Sequence, residues 1–200
     1  EIIDGYYNHI RSGNSARSLH LDGDDCILNL NLLTNKPVLY VCNVDENSIN
    51  GNKYTDMLKK AIEEEKGKLL IISAAIEAEI NELESVLDRQ EFLKEIGLEE
   101  PGVNKIINSA YALLGLHTFF TAGEKEVRAW TIKKGALAPQ AAGVIHTDFE
   151  KGFIRAEVIA FDDRMQFKTE QACREAGKIS IEGKNYEVRD GDVIHFRFNV

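Results

Sequence analysis

Two short polar tracts in this 200-residue chain carry the residue types that could bind a ligand. The first is Asn43-Val44-Asp45-Glu46, which follows the uncharged run Val38-Leu39-Tyr40-Val41-Cys42. The second is Ser73-Ala74-Ala75, which follows Leu69-Leu70-Ile71-Ile72. An amide, two carboxylates and a set of backbone N–H groups can together hydrogen-bond a polar molecule. Both apolar runs read as short buried strands, covered on both faces. Such strands belong to parallel sheets, where ligands sit beyond the carboxyl ends of the strands. The competing reading of the first tract is an ordinary strand exit with an Asx turn.

Other chemistries find less support. The histidines, His9, His20, His117, His146 and His195, are scattered, and no His/Cys/Asp/Glu group has the spacing of a metal site. His146 and Asp148 lack a nucleophile near them in sequence, and Ser73 has no Gly-x-Ser-x-Gly context. Cys26, Cys42 and Cys173 form neither a metal pattern nor an even-numbered disulfide framework, so a reduced, cytoplasmic compartment is expected. Cys42, inside an apolar run, reads as a small hydrophobe. The run Glu63-Glu64-Glu65 reads as a solvated helix face.

The formal net charge of −9 argues against attraction of the whole surface to nucleic acid but leaves room for a local basic patch. Such a patch is expected from Arg128, Lys133, Lys134, Lys151 and Arg155, interleaved with Trp130, Phe149 and Phe153. Basic and aromatic side chains together can hold single-stranded nucleic acid by phosphate contact and stacking. The plainer alternative is that the aromatics are core and the basic residues solubilise turns. No run of about 18 apolar residues predicts a membrane helix. The first residues, Glu1-Ile2-Ile3-Asp4-Gly5, do not read as a signal peptide; they start in mid-pattern without Met, which suggests a fragment boundary.

The elements that must position these residues follow from periodicity. Ile3, Tyr6, Tyr7 and Ile10 share one helical face, and residues 27–33 read as a second helix. Pro37 opens the first strand. Tyr54, Leu58, Ala61 and Ile62 mark an amphipathic helix, stopped by Gly67 as a C′ residue, before the second strand. Strand, helix, strand is one βαβ unit, so both polar tracts leave the same edge of the sheet. Ile76, Ile80, Leu83 and Leu87 mark an acidic helix, Phe92, Leu93 and Ile96 a short one, and residues 103–114 the cleanest helix of the chain.

Near Leu116 the texture changes to short strands and turns. Strands are expected at 117–121, 127–132, 153–161 and 193–198, with helices at 139–145 and 170–176. A hairpin is expected from 179–181 and 186–188 around Glu182-Gly183-Lys184-Asn185. The whole is an α/β chain in which a parallel sheet with helices is followed by a small α+β sheet carrying a helix on one face.

Asn43-Val44-Asp45-Glu46 with Ser73-Ala74-Ala75 resembles the base-recognition pair of translation-factor-type P-loop NTPases, Asn-Lys-x-Asp and Ser-Ala-Lys. In those GTPases the Asp accepts from guanine N1–H and the N2 amine, a pair of donors that adenine does not offer. Glu46 at the Asp position and Val44 at the Lys position resemble the Obg-like ATPases of the YchF subfamily. Phe119-Phe120-Thr121-Ala122-Gly123-Glu124-Lys125-Glu126-Val127-Arg128-Ala129-Trp130-Thr131-Ile132 resembles the start of that family's C-terminal TGS domain. So do the stretch 138–158, opening Ala138-Pro139-Gln140-Ala141-Ala142-Gly143, and the ending Asp190-Gly191-Asp192-Val193-Ile194-His195-Phe196-Arg197-Phe198. The likeness runs through almost the whole chain from about Ser18.

The resemblance implies three regions: the end of a helical insertion (1–17), the C-terminal part of an Obg-type nucleotide-binding domain (18–115) and a β-grasp, ubiquitin-like TGS domain (116–200). It implies that Asn43 bonds the purine N7 edge and braces its loop. Val44 would pack on the base, Glu46 would lie where the GTPase Asp lies, and Ser73, Ala74 and Ala75 would offer N–H groups to the base edge. Ala75 stands where the motif has Lys, removing a stem that could cover the base. No Gly-x-x-x-x-Gly-Lys-[Ser/Thr] loop occurs in the sequence. The elements that hold the phosphates and Mg²⁺ in the family are therefore not expected here, and this chain alone is expected not to hydrolyse ATP. The intact protein is implied to be a cytoplasmic, ribosome-associated ATPase that uses ATP with Mg²⁺ in preference to GTP. The alternative is a TGS interaction module that binds RNA, the ribosome or protein without hydrolysis.

Overall fold

A computed structural model describes residues 1–23, 27, 29–63, 67–123 and 126–199. Cys26, Leu28, the Glu64-Glu65 pair and Glu124-Lys125, all used above, lie outside the described residues. The chain divides into two compact units, Glu1–Leu114 and Gly115–Val200.

In the first unit, of the face of helix α1 (Ile2–Arg11) expected from Ile3, Tyr6, Tyr7 and Ile10, Tyr6 is buried and the other three are exposed. The reason is the return of the chain. The 3₁₀ turn Ala16–Ser18 and the residues after it cover the Tyr6 side, and the Tyr6 hydroxyl donates to the Leu19 carbonyl at 2.9 Å. Of the helix expected over 27–33, Ile27 is helical, but residues 29–31 form a turn with Asn31 at φ +48° and Leu33–Asn35 a 3₁₀ turn. A left-handed residue cannot continue a right-handed helix.

Strands β1 (Leu39–Asn43) and β2 (Lys68–Ile72) run parallel, Asn43 opposite Ile72. Helix α2 (Lys53–Ala61) lies between them in sequence. Asn52 caps it by accepting from the N–H groups of Tyr54 and Thr55, while the Thr55 hydroxyl accepts from the Asn52 N–H. Thr55 and Ile62 are buried and Tyr54 is exposed, so the inward face is rotated from the one expected. Gly67 allows close approach rather than ending α2: a Cβ there would meet the Tyr40 ring at 3.0 Å. β1 is not buried on both faces. Val41 is 41% exposed, because the described sheet of this unit has only two strands.

Helix α3 (Ala74–Glu82) stops before Leu83. Ser85 then caps a separate helix, α4 (Val86–Glu95), by accepting from the N–H groups of Leu87 and Asp88. Leu87 therefore belongs to α4, and is exposed. Ile76, Ile80 and Leu93 join α3 to α4. Helix α5 (Gly102–Leu114) packs on both strands and ends at Gly115, φ +60°.

The second unit is built on β3 (Leu116–Ala122), β4 (Val127–Lys133), β5 (Phe153–Ile159), β6 (Ser180–Glu182) and β7 (Val193–Phe198), in spatial order β4-β3-β7-β5-β6. The first and last strands pair in parallel at the centre and the flanking pairs are antiparallel, the β-grasp arrangement. Helix α6 (Ala138–Ile145), with Pro139 in its first turn, closes one face. Ala138, Ala141 and Ala142 pack in one core with Phe119, Phe153 and Phe196.

Two short helices go beyond the sequence reading, α7 (Thr147–Lys151) and α8 (Phe161–Phe167). β5 correspondingly ends at Ile159, not Phe161. Helix α9 (Glu170–Glu175) follows. The expected hairpin is not formed. β6 pairs with β5, whereas Tyr186 and Val188 bond the segment before α6: Ala138 N–H to Tyr186 O at 2.8 Å and Val188 N–H to Ala136 O at 3.0 Å. Burial of Val188 in the core, at 1% exposure, fixes this alternative pairing.

Candidate nucleotide-base site

The carboxyl ends of β1 and β2 bring the two polar tracts together. Asn43 is the last residue of β1, and its Oδ1 accepts a hydrogen bond from the Ala74 N–H at 2.9 Å. The Val44 N–H donates to the Ile72 carbonyl at 2.9 Å, extending the ladder one step past the strand. Because the pair is parallel, both exits point to one edge, and Asn43 ties them directly. The amide nitrogen of Asn43 is a donor that this bond leaves available for a ligand.

Asp45 and Glu46 play different parts. Asp45 precedes the 3₁₀ turn Glu46–Ser48; its carboxylate accepts from the Ser48 hydroxyl at 3.0 Å and its carbonyl from the Ser48 N–H at 3.0 Å. Glu46, next along, is exposed. Ser73 is the N-cap residue of α3 and is 1% exposed, yet its side chain makes no cap bond and its Oγ has no partner. It lines a cavity of about 280 Å³ with Asn50, Glu77 and Lys105. Ala74 and Ala75 open the first turn of α3 and are exposed. First-turn N–H groups have no intrahelical acceptor and suit an electron-rich ligand edge. Ala74 gives its own to Asn43.

Glu77 was not singled out by the sequence. From the first turn of α3 its carboxylate accepts from the Gly102 and Val103 N–H groups, at 2.6 and 3.2 Å. A carboxylate on a helix N-terminus is favourable, and here it ties the helix carrying Ser73-Ala74-Ala75 to α5. Its partners lie 25 and 26 residues away, so no local pattern marks it.

The five basic candidates of the second unit do not share one face. Trp130 pairs with Phe119 and joins the core side; the Arg128 guanidinium lies over the Trp130 ring, 4.1 Å from its centroid. The Trp130 indole N–H donates to Thr121 Oγ1 at 2.9 Å. Lys133 ends β4 and Lys134 begins the turn at Gly135. Lys151 ends α7. Arg155 lies on the other face of the sheet, beside Arg197 and near the buried Glu157. Phe149 stacks on Phe198 at 3.7 Å and Phe153 is core.

Among the described residues no three His, Cys, Asp or Glu side chains gather as a metal site. At the strand edge Glu46 stands beside an Asp45 engaged with Ser48, a donor set that does not fit a Mg²⁺ site. No step on a metal is assigned to these residues.

Known proteins share this arrangement. A family model, YchF-GTPase_C, described as a protein of unknown function (DUF933), matches residues 116–199. The ribosome-binding ATPase YchF of Haemophilus ducreyi is 54% identical over 193 residues, 96% of this chain and 53% of its own length. The protein of that name from Escherichia coli O157:H7 is 50% identical over 201 residues, covering all of this chain and 55% of that protein. The Schizosaccharomyces pombe YchF GTPase structure superimposes with a TM-score of 0.83 at 38% identity, over 98% of this chain and 53% of that one. This chain belongs to the YchF family. It spans about half the length of the curated YchF relatives it matches. A GTP-binding protein of Pyrococcus horikoshii, at 19% identity and a TM-score of 0.56, shares the fold. The parallel pair with its helices is thus a portion of the P-loop NTPase sheet of the YchF fold. Among the described residues no helix is long and apolar enough to cross a membrane.

Proposed function

We propose that this chain is the C-terminal portion of a ribosome-associated, cytoplasmic YchF-type ATPase and supplies the base-recognition wall of its nucleotide site. The regions would be the end of a helical insertion, the distal part of the nucleotide domain and a TGS domain. The observation that carries the reading is the Asn43–Ala74 hydrogen bond, which holds Asn43-Val44-Asp45-Glu46 against Ser73-Ala74-Ala75 at one sheet edge. Asn43 would offer its amide N–H to purine N7, Val44 its side chain to the base plane, and Ala75 a first-turn N–H to the base edge. Glu46 would accept from an exocyclic amine. ATP is the preferred nucleotide on this reading. Glu would carry its two carboxylate oxygens one methylene farther out than Asp, out of register with the N1–H and N2 donors of guanine.

When bound, Mg²⁺ and the phosphate-binding loop of the intact protein would supply transition-state charge stabilisation. These residues would bind and orient the base and carry no step of hydrolysis. Titration with fluorescent ATP and GTP analogues tests the assignment. Glu46→Asp should move preference toward GTP. Unchanged preference, or steady ATP turnover by this chain alone, contradicts it.

A further inference from the structure

The cavity of about 280 Å³ in the first unit lies between the start of α3, the start of α5 and the chain leaving α4. Small-molecule pockets usually span about 300–1,000 Å³, so this one suits an occupant smaller than a nucleotide. Its walls carry three kinds of group. Ile49, Ile72 and Leu98 give it an apolar side, and Ile49 and Leu98 also pack on the core between α3 and α4. The half-buried Lys105 and the hydroxyl of Ser73 supply donors. Glu77 and Glu99 supply carboxylates. Ser73 is 1% exposed and its Oγ has no hydrogen-bond partner, an unmade bond in a buried position. The two carboxylates differ. Glu77 already accepts from the Gly102 and Val103 N–H groups, one on each oxygen. Glu99 is exposed, and among the described residues neither it nor Lys105 takes part in an ion pair.

We propose that this cavity binds a free α-amino acid with a small apolar side chain. The ligand class follows from the charges on the walls. A simple anion would meet Glu99, and a simple cation would meet Lys105. A molecule that carries an ammonium and a carboxylate a few bonds apart satisfies both. The carboxylate would take the Lys105 ammonium and the Ser73 hydroxyl, making the bond that Ser73 lacks. It would also lie at the N-terminus of α3, where negative charge is favoured. The ammonium would donate to Glu99 and to the side-chain carbonyl of Asn50, which lines the same cavity. The apolar side chain would rest on Ile49, Ile72 and Leu98. The base-site reading uses Asn43, Val44, Glu46 and Ala75, so this site stands without it. Because α3 carries both Ser73 at its cap and Ala75 in its first turn, an occupant of the cavity can bear on the base edge through that helix.

The test is an amide ¹H–¹⁵N spectrum of the full chain titrated with L-leucine, beside isocaproate and isoamylamine. These keep the leucine skeleton but lack the ammonium and the carboxylate respectively. L-leucine should give saturable shifts at Ile49, Ser73, Leu98 and Lys105 at millimolar concentration or below. Either analogue should bind about tenfold more weakly, since each loses a charge-assisted contact. Lys105→Gln and Glu99→Gln should each weaken leucine by about tenfold. Neither substitution should change the ATP titration measured without leucine, so failure here is distinguishable from failure of the base-site reading. Ser73→Ala should weaken leucine without lowering the melting temperature, because its hydroxyl has no bond to lose. No saturable shift at millimolar leucine, equal binding of isocaproate or of isoamylamine, or leucine binding unchanged in Lys105→Gln would each overturn the proposal.

Discussion

Asn43 and Ala74, 31 residues apart in sequence, are joined by one hydrogen bond of 2.9 Å across the carboxyl ends of two parallel strands. The bond uses the side-chain oxygen of Asn43, and Asp can supply the same oxygen while lacking the N–H₂. Asn43→Asp should therefore keep the melting temperature near that of the parent but lose nucleotide affinity. Asn43→Ala should lose both, with stability down by about 1 kcal/mol. Urea unfolding beside nucleotide titration separates the two effects.

That distinction shows what was legible in the sequence and what was not. Val38–Cys42 and Leu69–Ile72 announce strands by their uninterrupted apolar runs, and the observed β1 and β2 differ by a residue at their ends. Helix α5 and the helix-to-strand change after Leu114 are equally plain, because a strong 3.6-residue period ends at a glycine with positive φ. Which face of a helix turns inward was less legible. In α1 Tyr6 alone of the expected face Ile3, Tyr6, Tyr7 and Ile10 is buried, because a segment at 16–21 decides the matter from elsewhere in the chain. The 179–188 hairpin fails for the same reason: its turn signal is local, and the partner that captures Tyr186 and Val188 is the distant Ala136–Ala138 segment. The base-edge tracts could be placed on one sheet edge from strand order, but neither the Asn43–Ala74 bond nor the Glu77 cap on α5 has a local signature.

Gly102 tests the Glu77 cap. A Cβ at this buried position would lie 2.8 Å from Glu77 Oε1 and 2.9 Å from Ile72 Cγ2. Gly102→Ala should destabilise the first unit by about 1–3 kcal/mol through overpacking. It should also displace Glu77, with a shift in the amide resonances of Val103. A parent-like unfolding curve would contradict the contact.

Glu157 gives the second unit a defined acid sensitivity. The hydrogen bond from Arg197 lowers its carboxyl pKa below the usual range; burial opposes this, and the charges of Arg197, Arg174 and His195 reinforce it. A depressed folded-state pKa makes the stabilisation complete above the unfolded value of about 4.3 and loses it as pH falls through the folded value. The melting temperature should therefore fall as pH drops below about 4.3. In Glu157→Gln this part of the fall should be absent. Parallel pH profiles of the two proteins would show the account of Glu157 to be mistaken.

Tyr186 tests the alternative to the hairpin. Its hydroxyl donates to Asp192 Oδ2 at 2.7 Å, and burial, then that bond, push its phenol well above the ordinary tyrosine range. Tyr186→Phe should cost about 1–2 kcal/mol, because Asp192 is only 4% exposed and keeps the Arg189 N–H as a partner. Ultraviolet titration should find one phenol fewer resistant to alkali in the variant. Equal numbers of resistant phenols would contradict the pairing.

The central claim is that the strand edge holding Asn43 and Ala74 contacts an adenine base. The most direct measurement is an amide ¹H–¹⁵N spectrum of the chain titrated with ATP and, separately, with GTP. Shifts confined to residues 43–46 and 73–75, larger with ATP than with GTP, are the predicted result. An absence of shifts at those residues, or equal shifts with GTP, would contradict the account.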